Sequence, residues 1–114
     1  MSTSVSHFAR LVRVELEDLL DDIKCRISRN DARFEREEIT SYVHMENNAL
    51  LKHELESIGR FGSIVDGIDP SNYKDTAAYE NQFLARAGAL TGDSDDPGAV
   101  FVLLKRKLDK VRAY

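Results

Sequence analysis

From Val5 to about Arg29 the apolar residues recur in steps of three and four: Val5, Phe8, Ala9, Val12, Leu16, Leu19, Leu20, Ile23 and Ile27. At 100° per residue they fall in one stripe about 120° wide. Such a pattern dictates an amphipathic helix over residues 5–29, roughly 38 Å long. It also demands a covering surface of similar length. Glu17, Asp18, Asp21 and Asp22 point away from the stripe and read as a solvated acidic face. Ser4 is the expected N-cap.

Asn30-Asp31-Ala32 interrupts the pattern with turn-forming residues. With Glu35 as N-cap, Phe34 and Ile39 have the spacing of a hydrophobic staple, and Glu38 falls in the acid-favouring first turn. The second helix is therefore expected over 35–58, ended by Gly59 or Gly62 in a left-handed conformation. The short connection makes the two helices an antiparallel hairpin. Residues 59–74 hold three Gly and Pro70 and read as a connector, with Ser63-Ile64-Val65 as a candidate short strand. A third helix is expected over 75–90, with Tyr79, Phe83, Ala87 and Leu90 as its stripe. Asp96-Pro97 reads as N-cap and first residue of a fourth helix over 97–112. That helix carries Val100, Phe101, Leu104, Leu108 and Val111 on one side.

The fold class that follows is all-α: a long antiparallel hairpin plus two shorter C-terminal helices, four-helix-bundle-like. With 114 residues and 42% hydrophobic content, the chain suits one helical domain over 1–114. The helices do not match in length. Two helices of about 15 residues span about 23 Å and cannot cover a hairpin of about 38 Å. The second helix is also apolar on two sides. Ile39, Tyr42, Val43, Met45, Ala49 and Leu50 make a broad face, and Leu51, Leu55 and Ile58 make a second, rotated by roughly 100–140°. A twofold dimer, two hairpins forming a four-helix bundle, accounts for both features.

Leu51, Leu55 and Ile58 are accordingly the expected partner-binding residues, in a helix-in-groove mode. Glu46 and His53, seven residues apart, fall in the middle of the broad face. Buried there they need partners, and one polar pair in a helical seam fixes register and oligomeric state. A metal reading of the same pair lacks the Glu-x-x-His spacing of di-iron bundles, because Leu50 stands three residues before His53. His44 reads as a boundary residue beside Leu51 and Leu55. The acidic segments around Asp66 and Asp93 lack the ligand spacing of an EF-hand. No phosphate-binding glycine loop and no nucleophile elbow is present, so no metal, cofactor or catalytic residue is expected.

The formal net charge of −4 argues against a general nucleic-acid binder. The fourth helix nonetheless ends in Lys105, Arg106, Lys107, Lys110 and Arg112, which suit a helix C-terminus and, in an alternative reading, contact phosphates. The acidic face of one chain meeting this basic end of another is a further way to pair copies. The lone Cys25, inside the first helix, is expected as a reduced, small apolar residue. The N-terminus lacks a signal-peptide layout and no run approaches the ~18 apolar residues of a membrane span. The expected setting is the cytoplasm. The expected function is that of a small non-enzymatic interaction protein, an adaptor, regulator or chaperone-like partner. It pairs with itself and possesses a surface for another protein; nucleic acid and metal are the alternatives.

Overall fold

The computed structural model describes residues 2–93 and 98–113. It contains α1 (Ser2–Glu35), α2 (Ser41–Gly67), a 3-10 turn (Pro70–Asn72), α3 (Thr76–Asp93) and α4 (Gly98–Ala113), with no strand among the described residues. The chain is all-α, as its periodicity dictates. The expected cap Asp96-Pro97 lies outside the described residues, as do the side chains of Leu90, Val100 and Phe101.

The expected stripes form the core. Val5, Phe8, Ala9, Val12, Leu16, Leu19 and Ile23 are buried, with Leu20 and Ile27 packed partly against them. Tyr79, Phe83 and Ala87 of α3 are fully enclosed, and Leu104, Leu108 and Val111 of α4 close the other side. Phe8 and Tyr73 each meet the Tyr79 ring edge-on, at centroid distances of 5.9 and 5.8 Å. The Tyr79 hydroxyl is buried with no hydrogen-bond partner. Burial, and then the neighbouring Tyr73, raise its pKa against the opposing pull of Arg13.

The helix ends differ from expectation for identifiable reasons. Ser4 lies inside α1 and does not cap it. Asn30-Asp31-Ala32 does not break α1, because Asn30 turns its amide to α2 instead of to its own backbone. The helix ends at Glu35, six residues past the expected end at Arg29. Glu37 adopts φ 61°, Glu37 N–H donates to the Phe34 carbonyl (3.0 Å), and Glu38 N–H donates to the Arg33 carbonyl (2.9 Å). This is a Schellman closure with glutamate at the position glycine favours. Arg33 and Glu38, whose side chains usually supply its apolar contact, form an ion pair at 3.6 Å instead. The cap of α2 is Thr40, whose hydroxyl accepts from Val43 N–H (3.2 Å). The Glu35 cap and its Phe34–Ile39 staple are thus corrected: Glu35 ends α1, and Ile39 sits in the turn.

At the far end α2 runs through Gly59, Gly62 and the expected Ser63–Val65 strand to Gly67. Ile58, Phe61, Val65 and Ile68 follow steps of three and four and are all buried. Packing of that stripe outweighs the low helix propensity of two glycines. Pro70 then forces Asp69 into an extended conformation, and the Asp69 carboxylate accepts from Ser71 N–H (3.0 Å) and Ser71 Oγ (2.8 Å). Those bonds lower the Asp69 pKa, the backbone bond most strongly. Asp75 Oδ1 accepts from Ala78 N–H (2.8 Å) and caps α3. Arg13 ties α1 to the end of α2 through Asp66 and the Gly62 carbonyl (3.4 Å).

Two outcomes test this account. Leu104→Ala, at a fully enclosed core position, is expected to cost roughly 2–5 kcal/mol in denaturant unfolding. A methyl group at Gly59 or Gly62 meets nothing within 4 Å. Gly59→Ala with Gly62→Ala should therefore gain about 1–2 kcal/mol together; a loss would show that α2 does not continue through these residues.

Candidate functional site

The hairpin outruns its cover. At 1.5 Å per residue α1 and α2, with 34 and 27 residues, span about 51 and 40 Å, whereas α3 and α4, with 18 and 16, span about 27 and 24 Å. The molecule measures 55 × 28 × 20 Å. Between Ile23 and Ser57 a single residue, Asn30, is buried. The α1–α2 turn therefore projects beyond the core as a tip.

Polar groups fasten this tip. Asn30 Nδ2 donates to the His44 carbonyl (3.0 Å), and Asn47 Nδ2 donates to Asn30 Oδ1 (3.3 Å). His44 Nε2 lies 2.8 Å from Asp31 Oδ1, and its ring stacks on Phe34 at 4.4 Å and 11°. His44 is thus more than a boundary residue: it joins both helices through ring and backbone. Asn48 Oδ1 is enclosed and has no hydrogen-bond partner.

The tip carries exposed apolar side chains. Tyr42 is 66% exposed, Met45 58% and Leu50 52%, with Phe34 and Val43 also exposed. Val14 and Val102 aside, no other large apolar residue is exposed among the described residues. The two faces of α2 have therefore exchanged roles. Leu51, Leu55 and Ile58, expected to bind a partner, turn towards the chain's own core: Ile58 is fully buried, and Leu51 and Leu55 pack against the core cluster. The broad face is the bare one. Glu46 on it is exposed and His53 is half-buried, so one chain does not enclose them as a polar seam. His53 contributes its carbonyl to the Ser57 hydroxyl (3.1 Å).

The basic end of α4 faces carboxylates. Lys107 Nζ lies 3.1 Å from both Glu15 Oε2 and Asp18 Oδ2, and Lys110 Nζ lies 3.5 Å from Glu15 Oε1. Arg112 reaches Glu80 at 3.3 Å and also binds Asp109. Three of the five cations expected to contact phosphate thus hold α4 onto α1 and α3, while Lys105 and Arg106 are exposed. Of the acidic face expected to meet this basic end in another copy, Asp18 meets Lys107 within the chain, beside Glu15, which is not part of that face. Glu15 is 5% exposed, so these lysines neutralise a buried charge. Burial disfavours the Lys107 ammonium, yet its hydrogen bonds to Glu15 and Asp18 and their charges outweigh that and raise its pKa. Burial raises the Glu80 carboxyl, Arg112 opposes this, and Asp109 adds to it.

Arg26, Arg29 and Arg33, not singled out by the sequence patterning, line an open groove of about 270 Å³ at the tip with Asn30, Asn47, Leu50 and Leu51. Their spacing of three and four was the legible signal. Cys25, expected as a small apolar residue, is exposed. Among the described residues no cluster of His, Cys, Asp and Glu could hold a metal ion, and no helix is long and apolar enough to cross a membrane. No protein-family model, curated protein or solved structure matches the chain.

Lys107 binds its proton more tightly in the fold than in the unfolded chain. Its contribution is therefore complete below the ordinary lysine pKa of 10.5 and is lost as pH rises through the higher folded value. Lys107→Met should cost about 1–2 kcal/mol near neutrality, leaving Glu15 with less cationic cover. The difference between variant and parent, followed by unfolding at successive pH values, should shrink in strong alkali.

Proposed function

We infer that this chain is a small non-enzymatic interaction protein, an adaptor, regulator or chaperone-like partner, acting through the exposed tip of its helical hairpin. The first partner in this reading is a second copy of itself. One observation carries it: Tyr42, Val43, Met45 and Leu50 are exposed on a segment where only Asn30 is buried. Apolar residues grouped outside a core lose free energy by leaving water, and a protein surface is the usual means. Two tips packed together lengthen each other's cover, which the short α3 and α4 do not reach. The reading sets the protein in the cytoplasm, where an exposed Cys25 stays reduced. Nucleic-acid binding through α4 is the weaker reading, because Lys107, Lys110 and Arg112 already face carboxylates.

Sedimentation equilibrium tests it. A chain of 12.9 kDa should sediment at twice that mass at micromolar concentration. Tyr42→Asp with Met45→Asp should return it to the monomer while leaving the helical circular dichroism signal in place, both sites being exposed in the single chain. A monomer at every concentration would remove self-association from the reading. A variant that remains dimeric would move the interface off the tip.

A further inference from the structure

One flank of α1 changes sign halfway along. Glu15, Asp18, Asp22, Arg26, Arg29 and Arg33 follow steps of three and four. At 100° per residue they lie in one stripe about 80° wide. The acidic half is covered by a helix of opposite charge: Lys110 meets Glu15, and Lys107 meets Glu15 and Asp18. The order of these pairs makes α4 antiparallel to α1. Nine residues separate Gly98 from Lys107, about 14 Å of rise, so α4 extends along the flank to about the level of Arg26. A small cleft shared by Asp22, Arg26, Glu54 and Lys107 marks the change of sign.

Past that point a second, open groove lies between α1 and α2, lined by Arg26, Arg29 and Arg33 with Asn30, Asn47, Leu50 and Leu51. Arg33 pairs with Glu38 at 3.6 Å; Arg26 and Arg29 have no carboxylate in ion-pair reach among the described residues. Guanidinium groups present paired donors that fit carboxylates in a fixed geometry. Arg26 to Arg33 rises about 10 Å, two turns. A helix with acids at steps of three and four matches this half of the flank as α4 matches the other half.

We propose that this arginine-lined groove is a docking site for an acidic amphipathic helix of a partner protein. Its carboxylates meet Arg26 and Arg29, and an aliphatic or aromatic side chain covers Leu50 and Leu51. A nucleic acid fits less well. Asp22 and Glu54, in the adjoining cleft that shares Arg26, and Glu38, paired with Arg33, place negative charge at the two ends of the groove and repel a continuous polyanion, and Leu50 and Leu51 give its lining an apolar part. The proposal deepens the interaction reading by naming a partner's chemistry; Leu50 belongs to both surfaces, and the tests separate them through Arg26 and Arg29 on one side and Tyr42 and Met45 on the other.

Fluorescence anisotropy of the full chain tests it with a labelled helical peptide of about 14 residues. Leu stands at every third or fourth position of this probe and Glu fills the adjoining face. A Gln-for-Glu analogue, a Lys-for-Glu analogue and a single-stranded oligonucleotide serve for comparison. The Glu peptide should bind about tenfold more tightly than the Gln analogue, and less tightly as salt rises from about 50 to 200 mM. Arg26→Glu with Arg29→Glu should abolish that preference and favour the Lys peptide. Arg26→Gln with Arg29→Gln, which removes charge without reversing it, should abolish the preference alone. Thermal unfolding near the parent's confirms that the variants fold.

Equal affinity for the Glu and Gln peptides, or undiminished preference in both variants, overturns the proposal. So does tighter binding of the oligonucleotide through the same arginines. A dimer that dissociates on Arg26→Gln with Arg29→Gln would assign the groove to a second copy. That result also overturns it. If Tyr42→Asp with Met45→Asp disrupts the dimer while the arginine variants bind peptide normally, the groove proposal fails and the interaction reading stands.

Discussion

The structure depends on a mismatch within one helix. The buried apolar stripe of α1 ends at Ile23, but the helix continues to Glu35. Up to Ile23 every turn has α2, α3 or α4 to pack against, and the hydrophobic term holds the fold. Beyond it α1 has only the first turns of α2 for company, with half-buried Ile27 and Leu51 in place of a core. Two helices alone bury only a narrow seam between them, since each leaves most of its circumference in water. The tip is therefore held by groups that tolerate water.

Asn30, Asn47, Asp31 and His44 perform that task. Hydrogen bonds between side chains and to the His44 carbonyl contribute little net free energy, but they are directional. They fix which turn of α1 faces which turn of α2, and so where Tyr42, Met45 and Leu50 stand relative to Arg26 and Arg29. The same division holds at the other end. Packing supplies the stability there, and the Glu15–Lys107–Lys110 cluster selects the direction and register of α4. Removing Lys107 tests a specificity device at a site where a buried carboxylate makes its absence felt in stability.

The core was legible because its period is strong. The α1 stripe, Tyr79-Phe83-Ala87, and Leu104-Leu108-Val111 need only the 3.6-residue repeat. What misled were residues with two common uses. Asn30 forms turns when its amide bonds to its own backbone, and crosses helices when a partner is at hand. Gly59 and Gly62 end helices when a left-handed residue is needed, and are carried through when Ile58, Phe61, Val65 and Ile68 are buried on another face. The faces of α2 were assigned by breadth, and the broader one was expected to lie inside. The structure gives the core to the narrower face, because that face alone continues in register to Ile68. Nothing local in the sequence says how far α3 and α4 extend along the hairpin. That distance decides which of two apolar faces remains in water, and hence where the candidate site lies.

A tip fastened through one buried asparagine opens more easily than the rest of the molecule. Amide protection follows buried contacts, so hydrogen exchange should be slow around Leu16 and Phe61 and fast from about Arg29 to Asn48. Local melting of that kind leaves the core untouched. It lets the end of the hairpin re-form around whatever binds it, at the expense of ordering the last turns of α1 and the first of α2. The surface proposed to bind is in that sense also the least cooperative part of the fold, and affinity there would be set as much by how firmly Asn30 holds the two helices together as by the side chains a partner touches.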